Sequence, residues 1–322
     1  MMSPKKLGRI GVVMGGTSSE REISLKSGKA VLKSLVDAGC DAIASDLTTT
    51  DAAQIVAQLR QAKIDIVFIV LHGKFGEDGA IQAILEKEGF PYTGSGPKAS
   101  RLAMDKAATQ ALLKKNGITV PDFQILRQGD AIKPEIILKN LGGAPVIVKP
   151  CCEGSSIGIT IIKNAADLMP ALQVAFKLGT EVIIEKFIAG KEITSGILGQ
   201  DTLSLVEIRP KNKFFDFVAK YQSGMSDYIV PAEISAPQTT QIKEMSLKAF
   251  QLIGCRDMAR SDFILDEKGK AFFLEINTIP GFTATSLLPK AAQDRGIDFT
   301  KLCLQLAGYA AQRKKQIVEY SK

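Results

Sequence analysis

The chain has 322 residues and a formal net charge of +7; 45% of its residues are hydrophobic and 23% are charged. This length predicts two or three domains, and the composition is typical of a globular protein. No run of some 18 apolar residues occurs, so no membrane-spanning segment is expected. The charge is spread along the chain without basic and aromatic residues interleaved, which argues against a nucleic-acid partner and leaves a polyphosphate ligand possible.

The five cysteines are scattered, and His72 is the single histidine. An odd number of cysteines without regular spacing predicts reduced thiols and a cytoplasmic location. One histidine excludes a zinc site built from histidines. Any metal is therefore expected to have oxygen ligands, which favours Mg²⁺ or Mn²⁺.

The first ninety or so residues predict alternating strands and helices. The predicted strands cover 10–14 and 64–71, and the predicted helices cover 20–38, 52–62 and 78–88. A capping box formed by Ser19 and Glu22 is expected to begin the first helix, and Gly39 to end it. This alternation is typical of a parallel sheet of the α/β class. A Rossmann oxidoreductase is disfavoured, because the GxGxxG spacing is missing after the first strand.

A further helix is predicted over 101–116, followed by two strands around a glycine-serine loop in "APVIVKPCCEGSSIGITII". Since the loop leads into a second β-branched run, it is expected to join antiparallel strands as a flap. The residues that would approach phosphate oxygens are Gly154, Ser155, Ser156 and Gly158, with Lys149 supplying a positive charge. The alternative is a polar hairpin tip with a solvated lysine.

After a predicted helix near 165–178, the stretch "TEVIIEKFIAGKEIT" contains a strand over 182–184. The mixed residues that follow it, Glu185 to Ile188, suit recognition of an adenine edge through the backbone. Glu192 is suitably placed for a ribose hydroxyl pair. A strand with a solvated face explains the same pattern equally well.

The stretch "MARSDFILDEKGKAFFLEIN" predicts a hairpin in which Leu265 pairs with Lys270. That register places four polar side chains on one face: Arg260, Asp262, Glu275 and Asn277. Two carboxylates and an amide oxygen suit Mg²⁺ bridged by phosphates, and the guanidinium suits a phosphoryl group or an oxyanion. A surface ion pair between Arg260 and Glu275 is the alternative, and it is disfavoured because the strand around Glu275 is apolar.

Several motifs together resemble the D-alanine–D-alanine ligase family of the ATP-grasp superfamily: "GGTSSEREISLKSG", "LHGKFGEDG", "YTGSG", "MDK", "VIVKP", "EGSSIG", "AKY" and "EINTIPGFT". The resemblance covers nearly the whole chain and implies a mixed α/β, three-domain ATP-grasp architecture. The implied domains are an N-terminal α/β domain on the substrate side (1–92), a central domain with the flap (93–187) and a C-terminal domain with the metal and substrate site (188–322). It also implies a reaction used in peptidoglycan precursor synthesis. ATP phosphorylates the carboxylate of one D-alanine, and the amine of a second D-alanine attacks the acyl phosphate.

The resemblance further implies a role for individual residues and a homodimer. The implied phosphate contacts are Lys106, Lys149 and Ser156. The implied adenine and ribose contacts are Glu185, Lys186, Ile188 and Glu192. Two Mg²⁺ ions, or Mn²⁺, would be bound by Asp262, Glu275 and Asn277. Glu20 would bind the ammonium of the first D-alanine, with His72 near the substrates or packed as a satisfied core histidine. Arg260 and the Gly281 backbone would stabilise the oxyanion.

The carboxylate of the second D-alanine would be bound by Lys220, Ser286 and Leu287. Ser155 and Tyr221 would link Glu20 to a lid at Gln222–Pro231 that excludes water from the acyl phosphate. The adjacent pair Cys151 and Cys152 departs from the polar or basic residues usual in the family. Two alternatives stay open: a D-alanine–D-lactate or other carboxylate–amine ligase, decided by the residues around Tyr221, and a nucleotide-binding protein without catalysis. The second is disfavoured because every metal-ligand position is filled.

Overall fold

The computed structural model describes residues 3–154, 157–210 and 226–320, with side chains described up to Arg313. Within these ranges the chain is a mixed α/β protein with three sheets. Its strands are β1 (Ile10–Gly15), β2 (Ala42–Leu47), β3 (Ile66–Ile69), β4 (Phe123–Arg127), β5 (Val146–Pro150), β6 (Thr160–Ile162), β7 (Glu181–Lys186), β8 (Gly190–Leu198), β9 (Asp201–Pro210), β10 (Ser226–Ile229), β11 (Met258–Asp266) and β12 (Ala271–Asn277). Its helices are α1 (Arg21–Asp37), α2 (Ala52–Gln61), α3 (Ala80–Lys87), α4 (Pro97–Met104), α5 (Lys106–Lys115), α6 (Pro134–Asn140), α7 (Leu168–Phe176), α8 (Ala236–Ile253), α9 (Leu287–Asp294) and α10 (Phe299–Tyr320).

The first sheet is parallel, in the order β2-β1-β3, which confirms the predicted α/β start. Every residue of β1 is buried, as expected for a central strand covered on both faces. Helix α1 packs so closely on β1 that a Cβ at Gly28 would lie 2.5 Å from the Cβ of Met14. Leu302 and Leu306 of α10 share a core cluster with Leu35 of α1. The last helix therefore completes the core around the first sheet.

The predicted beginning of the first helix is wrong in its detail. Helix α1 begins at Arg21 with Glu20 as its N-cap residue, and no side-chain cap hydrogen bond is formed. Ser18 instead donates its hydroxyl to the carbonyl of His72 at 2.7 Å and accepts the amide of Glu20 at 3.2 Å. A serine that binds a distant carbonyl shapes the loop rather than capping the helix. The loop thereby brings Glu20 beside His72.

The single helix predicted over 101–116 is also wrong, because the chain forms two helices there. Asp105 has extended backbone angles and accepts the amide of Ala108 at 2.9 Å, so it is the N-cap of α5. Aspartate favours this position because its carboxylate satisfies an amide that has no partner within the helix. The break places Lys106 at the first position of α5.

The two other sheets are antiparallel, in the orders β4-β7-β5-β6 and β10-β9-β8-β11-β12. Strands β5 and β6 pair antiparallel, which confirms the predicted flap hairpin. Each of the three ranges in the predicted domain division contains one sheet, and the boundaries themselves remain a prediction. Among the described helices, none is both long and apolar enough to cross a membrane.

The predicted register of the last hairpin is wrong, although the predicted face is formed. Leu265 pairs with Ala271 rather than Lys270, and the register shifts again between Asp262 and Phe263. Leu274 is the extra residue of this β-bulge, so that Asp262 lies opposite Glu275. The turn shifts the pairing by one residue relative to the prediction, and the bulge shifts it by one more. Because side chains alternate between the two faces of a strand, a total shift of two residues leaves them on the expected face.

Candidate active site

A cleft of about 530 Å³ lies where the flap, the β11–β12 hairpin and α1 meet. Ten of the candidate site residues named from the sequence line it: Glu20, His72, Lys106, Gly154, Arg260, Glu275, Asn277, Gly281, Ser286 and Leu287. Seven lie in the structure without lining this cleft: Lys149, Gly158, Glu185, Lys186, Ile188, Glu192 and Asp262. Ser155, Ser156, Lys220, Tyr221 and the lid residues up to Met225 lie outside the described residues. The structure thus brings together most of the expected substrate and catalytic side chains.

Glu20 lies between the flap and the loop that follows β3. Its side chain is buried, at 6% exposure. Its Oε1 is 3.2 Å from where a Cβ would stand on Gly73, and 3.2 Å from where one would stand on Gly154. The two glycines therefore allow both loops to approach the carboxylate, which is held near the flap by close packing.

His72 is both packed and part of the cleft wall. Its Nδ1 is 3.3 Å from Oε1 of Glu77, and its Nε2 is 3.3 Å from the hydroxyl of Ser27. Burial raises the pKa of Glu77, and the hydrogen bond from His72 opposes that rise. Ser27 also accepts the amide of Phe282 at 3.4 Å. Ser27 thus connects His72 both to α1 and to the loop after β12. The burial of His72 agrees with the satisfied-core alternative, and its place near the substrates stays a prediction.

Lys106 contacts the flap and the last hairpin at once. Its Nζ donates to the carbonyl of Glu153 at 2.5 Å and lies 3.6 Å from Oε2 of Glu275. The carboxylate of Glu153 in turn pairs with Lys74 at 2.5 Å. The ammonium of Lys106 could therefore contact a phosphate bound between the flap and the hairpin.

Lys149 and Glu185 form a buried ion pair at 2.6 Å, with side-chain exposures of 10% and 1%. The other carboxylate oxygen of Glu185 accepts the Gln110 amide at 2.6 Å. Both oxygens of Glu185 are thus engaged by protein groups, and its backbone lies between β4 and β5 within the sheet. The amide of Lys186 donates to the carbonyl of Asp122, and that of Phe187 to the carbonyl of Pro145.

The last hairpin supplies the oxygen ligands that a magnesium ion would need. Asp262 and Glu275 are cross-strand neighbours, and Asn277 lies opposite Arg260. Side chains directly opposite each other in an antiparallel pair are about 4.5–5.5 Å apart at Cβ, within reach of one ion. Asp262 also accepts two bonds from Arg260, at 2.9 and 2.8 Å, and one from Thr194 at 2.7 Å.

These side chains alone do not complete the coordination of a metal ion. Among the described residues, no three His, Cys, Asp or Glu side chains form a metal site on their own. The Oδ1 of Asn277 already accepts the amide of Ile279 at 2.9 Å, so its second lone pair is what a metal would use. Two carboxylates and an amide oxygen fit Mg²⁺, which ordinarily completes its octahedron with phosphates and water.

The far end of the cleft is built around the beginning of α9. Ser286 is the N-cap of that helix, and its hydroxyl accepts the amide of Thr283 at 3.1 Å. A Cβ on Gly281 would lie 3.3 Å from the Ser286 hydroxyl, so the two residues are close. Hydroxyl and helix N-terminus together suit a carboxylate.

Comparison with known proteins shows which family this chain resembles. A family model described as D-ala D-ala ligase C-terminus matches residues 112–307, and one described as D-ala D-ala ligase N-terminus matches residues 45–95. The chain belongs to the D-alanine–D-alanine ligase family. A D-alanine–D-alanine ligase of Trichlorobacter lovleyi is 45% identical over 309 residues, which are 96% of each chain. Another from Pelotomaculum thermopropionicum is 41% identical over 94% of this chain and 97% of its own.

Solved structures agree with the family. The D-alanine–D-alanine ligase of Bacillus anthracis complexed with ATP has a TM-score of 0.84 and 31% identity, covering 96% of this chain and 99% of that chain. The VanG D-Ala:D-Ser ligase of Enterococcus faecalis has a TM-score of 0.79 and 30% identity, covering 94% of this chain and 99% of that chain. The mixed α/β ATP-grasp fold expected from the sequence is confirmed by the first likeness.

The cysteine pair that departs from the usual family pattern divides into one buried and one exposed side chain. Cys151 packs with Ala107 and Ile183, and burial raises the pKa of its thiol to about 12. Its carbonyl accepts the amide of Lys106 at 3.0 Å. Cys151 is therefore a small apolar residue that supports the beginning of α5.

Six further residues contribute to this ligase-family site and were not singled out from the sequence: Lys74, Glu77, Gln110, Glu153, Tyr228 and Lys290. Four of them line the cleft, and Lys74 and Gln110 bind residues named above. Glu77 and Glu153 lie inside quoted motifs, so their position was a usable signal. Lys290 follows Ser286 by four residues, which places both on one side of a helix. Tyr228 falls within the predicted lid at Gln222–Pro231, whereas nothing in the sequence alone marks Gln110.

Proposed function

We propose that this protein joins two D-alanine molecules to D-alanyl-D-alanine with consumption of ATP, as a step in the synthesis of peptidoglycan precursors. The observation that carries the proposal is the convergence of Glu20, Arg260 and Glu275 on one cleft. This ligation requires a carboxylate that binds the ammonium of the substrate, a guanidinium that stabilises an oxyanion and a carboxylate that binds a metal ion. The curated relatives named above carry the same activity in their names.

In the proposed reaction the first D-alanine is the donor. Its ammonium binds Glu20, and its carboxylate oxygen takes the γ-phosphoryl group of ATP while ADP leaves. Lys106 and Lys149 bind the phosphates, and two Mg²⁺ ions at Asp262, Glu275 and Asn277 would neutralise the charge that develops on them. The adenosine is assigned to the hinge at Glu185, Lys186 and Ile188, with Glu192 on the ribose.

The second D-alanine is the acceptor. Its neutral amine attacks the carbonyl carbon of the acyl phosphate, phosphate leaves, and the amine loses a proton. Arg260 and the amide of Gly281 would stabilise the oxyanion of the tetrahedral intermediate. Ser286, Leu287 and Lys220 would bind the acceptor carboxylate, and Ser155 and Tyr221 would connect Glu20 to the lid.

The quaternary structure and location belong to the same proposal. We assign the protein to the cytoplasm, because that is where the ATP it consumes is made. We also assign it as a homodimer, following the resemblance of its motifs. Gel filtration with light scattering measures the mass directly, and a monomeric mass under assay conditions contradicts the dimer.

The activity is tested by following ADP release with D-alanine, with chromatographic detection of the dipeptide. We expect one ADP for each dipeptide formed, and no ADP release above background without D-alanine. D-Serine and D-lactate, offered with D-alanine, test the competing acceptors. ADP release that ignores D-alanine would contradict the proposal, and a mixed product in the presence of D-lactate would identify a depsipeptide ligase instead.

A further inference from the structure

The wall of the cleft formed by α9 carries a lysine that the proposed reaction does not use. Lys290 is partly buried and lines the same cleft as Ser286 and Leu287. Its amide donates to the Ser286 carbonyl at 3.0 Å, one helical turn before it. Because residues four apart lie on the same face of a helix, its side chain stands on the Ser286 side of α9.

The ammonium of Lys290 is positioned by an aromatic ring of β10. Its Nζ lies 5.6 Å from the ring centroid of Tyr228, within the range of a cation–π contact. Tyr228 also lines the cleft, and Arg260 is near enough to oppose the rise that burial causes in the pKa of its phenol. Lys290, Tyr228 and Arg260 therefore follow one another along the same wall.

Most other charges of the cleft are matched by opposite charges. Lys106 has Glu275 nearby, and Arg260 has Asp262. For Lys290, by contrast, no carboxylate partner is present among residues 3–154, 157–210 and 226–313. A half-buried ammonium held over a ring and facing a cleft favours an anionic ligand there.

We propose that Lys290, beside Ser286, binds the carboxylate of the acceptor amino acid and selects acceptors that carry a free carboxylate. The inference rests on the proposed ligation and extends it to a residue outside the expected set. An α-amino acid carries its amine and its carboxylate on one carbon atom. Binding the carboxylate at α9 therefore turns the amine toward Arg260 and Gly281, where the acyl carbonyl is expected.

A competition between two acceptors tests this assignment. D-Alanine methyl ester has no carboxylate to phosphorylate, so it acts only as an acceptor, while D-alanine supplies the donor. In one reaction mixture with both acceptors at equal concentration, the initial ratio of dipeptide to dipeptide ester gives the ratio of the two kcat/KM values. The different amine pKa values of the two acceptors cancel when variant and wild type are compared under the same conditions.

Lys290→Met is expected to lower kcat/KM for D-alanine as acceptor about five- to tenfold. This factor lies between the effect of losing a partly exposed ion pair and the effect of losing a hydrogen bond to a charged group. It should leave kcat/KM for the ester nearly unchanged, so the product ratio shifts toward the ester by the same factor. The KM for ATP should not change. Lys290→Arg, which keeps the charge, should recover most of the wild-type ratio. Lys29→Met is the matched control, because Lys29 is an exposed lysine of α1 outside the cleft lining.

Each other outcome overturns the assignment. A wild-type product ratio in Lys290→Met, with both acceptors slowed equally, shows that the residue only supports the fold. A higher KM for ATP with an unchanged product ratio shows that its ligand is a phosphate. Failure of the ligation itself is distinguishable from both, because the wild-type protein would then form no dipeptide.

Discussion

Lys149 is assigned two roles, an ion pair that stabilises the fold and a contact with the phosphates of ATP, and replacing it with methionine removes both. Its ammonium is 2.6 Å from Glu185, whose side chain is 1% exposed. Removing one member of a buried pair leaves the other charge without compensation, at a cost of about 3–5 kcal/mol. At about 2–4 °C for each kcal/mol, this predicts that Tm falls by about 6 °C or more.

The double variant Lys149→Met with Glu185→Gln is the informative comparison. The neutral amide needs no counter-charge and can still bind Gln110, so most of the lost thermal stability should return. The phosphate contact stays absent, so the KM for ATP should remain elevated about tenfold or more in both variants, as for a lost hydrogen bond to a charged group. Differential scanning calorimetry gives Tm, and ADP release at varied ATP gives KM.

Two results would refute this reasoning. A single variant that melts like the wild type would show that the pair does not stabilise the fold. A double variant whose KM for ATP returns to the wild-type value would show that Lys149 does not bind phosphate, and that its loss had acted only through Glu185.

Three further predictions concern other parts of the site. Glu275→Gln should lower kcat about 100-fold or more with an unchanged Tm, because one charged metal ligand is lost; wild-type turnover at limiting Mg²⁺ would contradict it. Gly154→Ala should raise the KM for the donor D-alanine, because the new Cβ would stand 3.2 Å from Oε1 of Glu20, whereas the control Gly179→Ala meets its nearest atom only at 3.9 Å. Glu77→Gln should raise Tm more at pH 8 than at pH 4, because burial raises the pKa of the Glu77 carboxyl. Such a carboxyl contributes its full stabilisation below its ordinary pKa and loses it as the pH rises through the raised value, whereas the amide does not titrate. A difference in Tm independent of pH would contradict this prediction.

The sequence predicted the architecture better than the contacts within it. Alternating apolar runs predicted the parallel sheet, and the quoted motifs contain most of the residues that line the cleft. The split between α4 and α5 was missed, because an aspartate inside a helical pattern is ambiguous until its carboxylate is seen to cap Ala108. The hairpin register was missed twice, because the turn was ended one residue too early and because a bulge at Leu274 leaves no mark in the pattern of apolar residues.

The role of Gln110 shows why some site residues cannot be found from a motif at all. The ladder is interrupted at the bulged residue Leu274, and the carbonyl of Leu274 accepts the amide of Gln110 at 3.3 Å. The same amide nitrogen donates to Glu185 at 2.6 Å, in the sheet that carries Lys149. Gln110 thus connects β12, which carries the proposed metal ligands, to β7 in the sheet of the flap.

Lys106 lies one turn earlier on the same face of α5 and reaches both Glu153 and Glu275. One short helix therefore contacts both the lysines proposed to bind phosphate and the hairpin proposed to bind metal. A triphosphate that spans the two sheets depends on that distance, although Gln110 is itself assigned no contact with the ligand. Such a residue is recognised only when both of its partners are seen, because neither its type nor its spacing differs from that of a solvated helix residue.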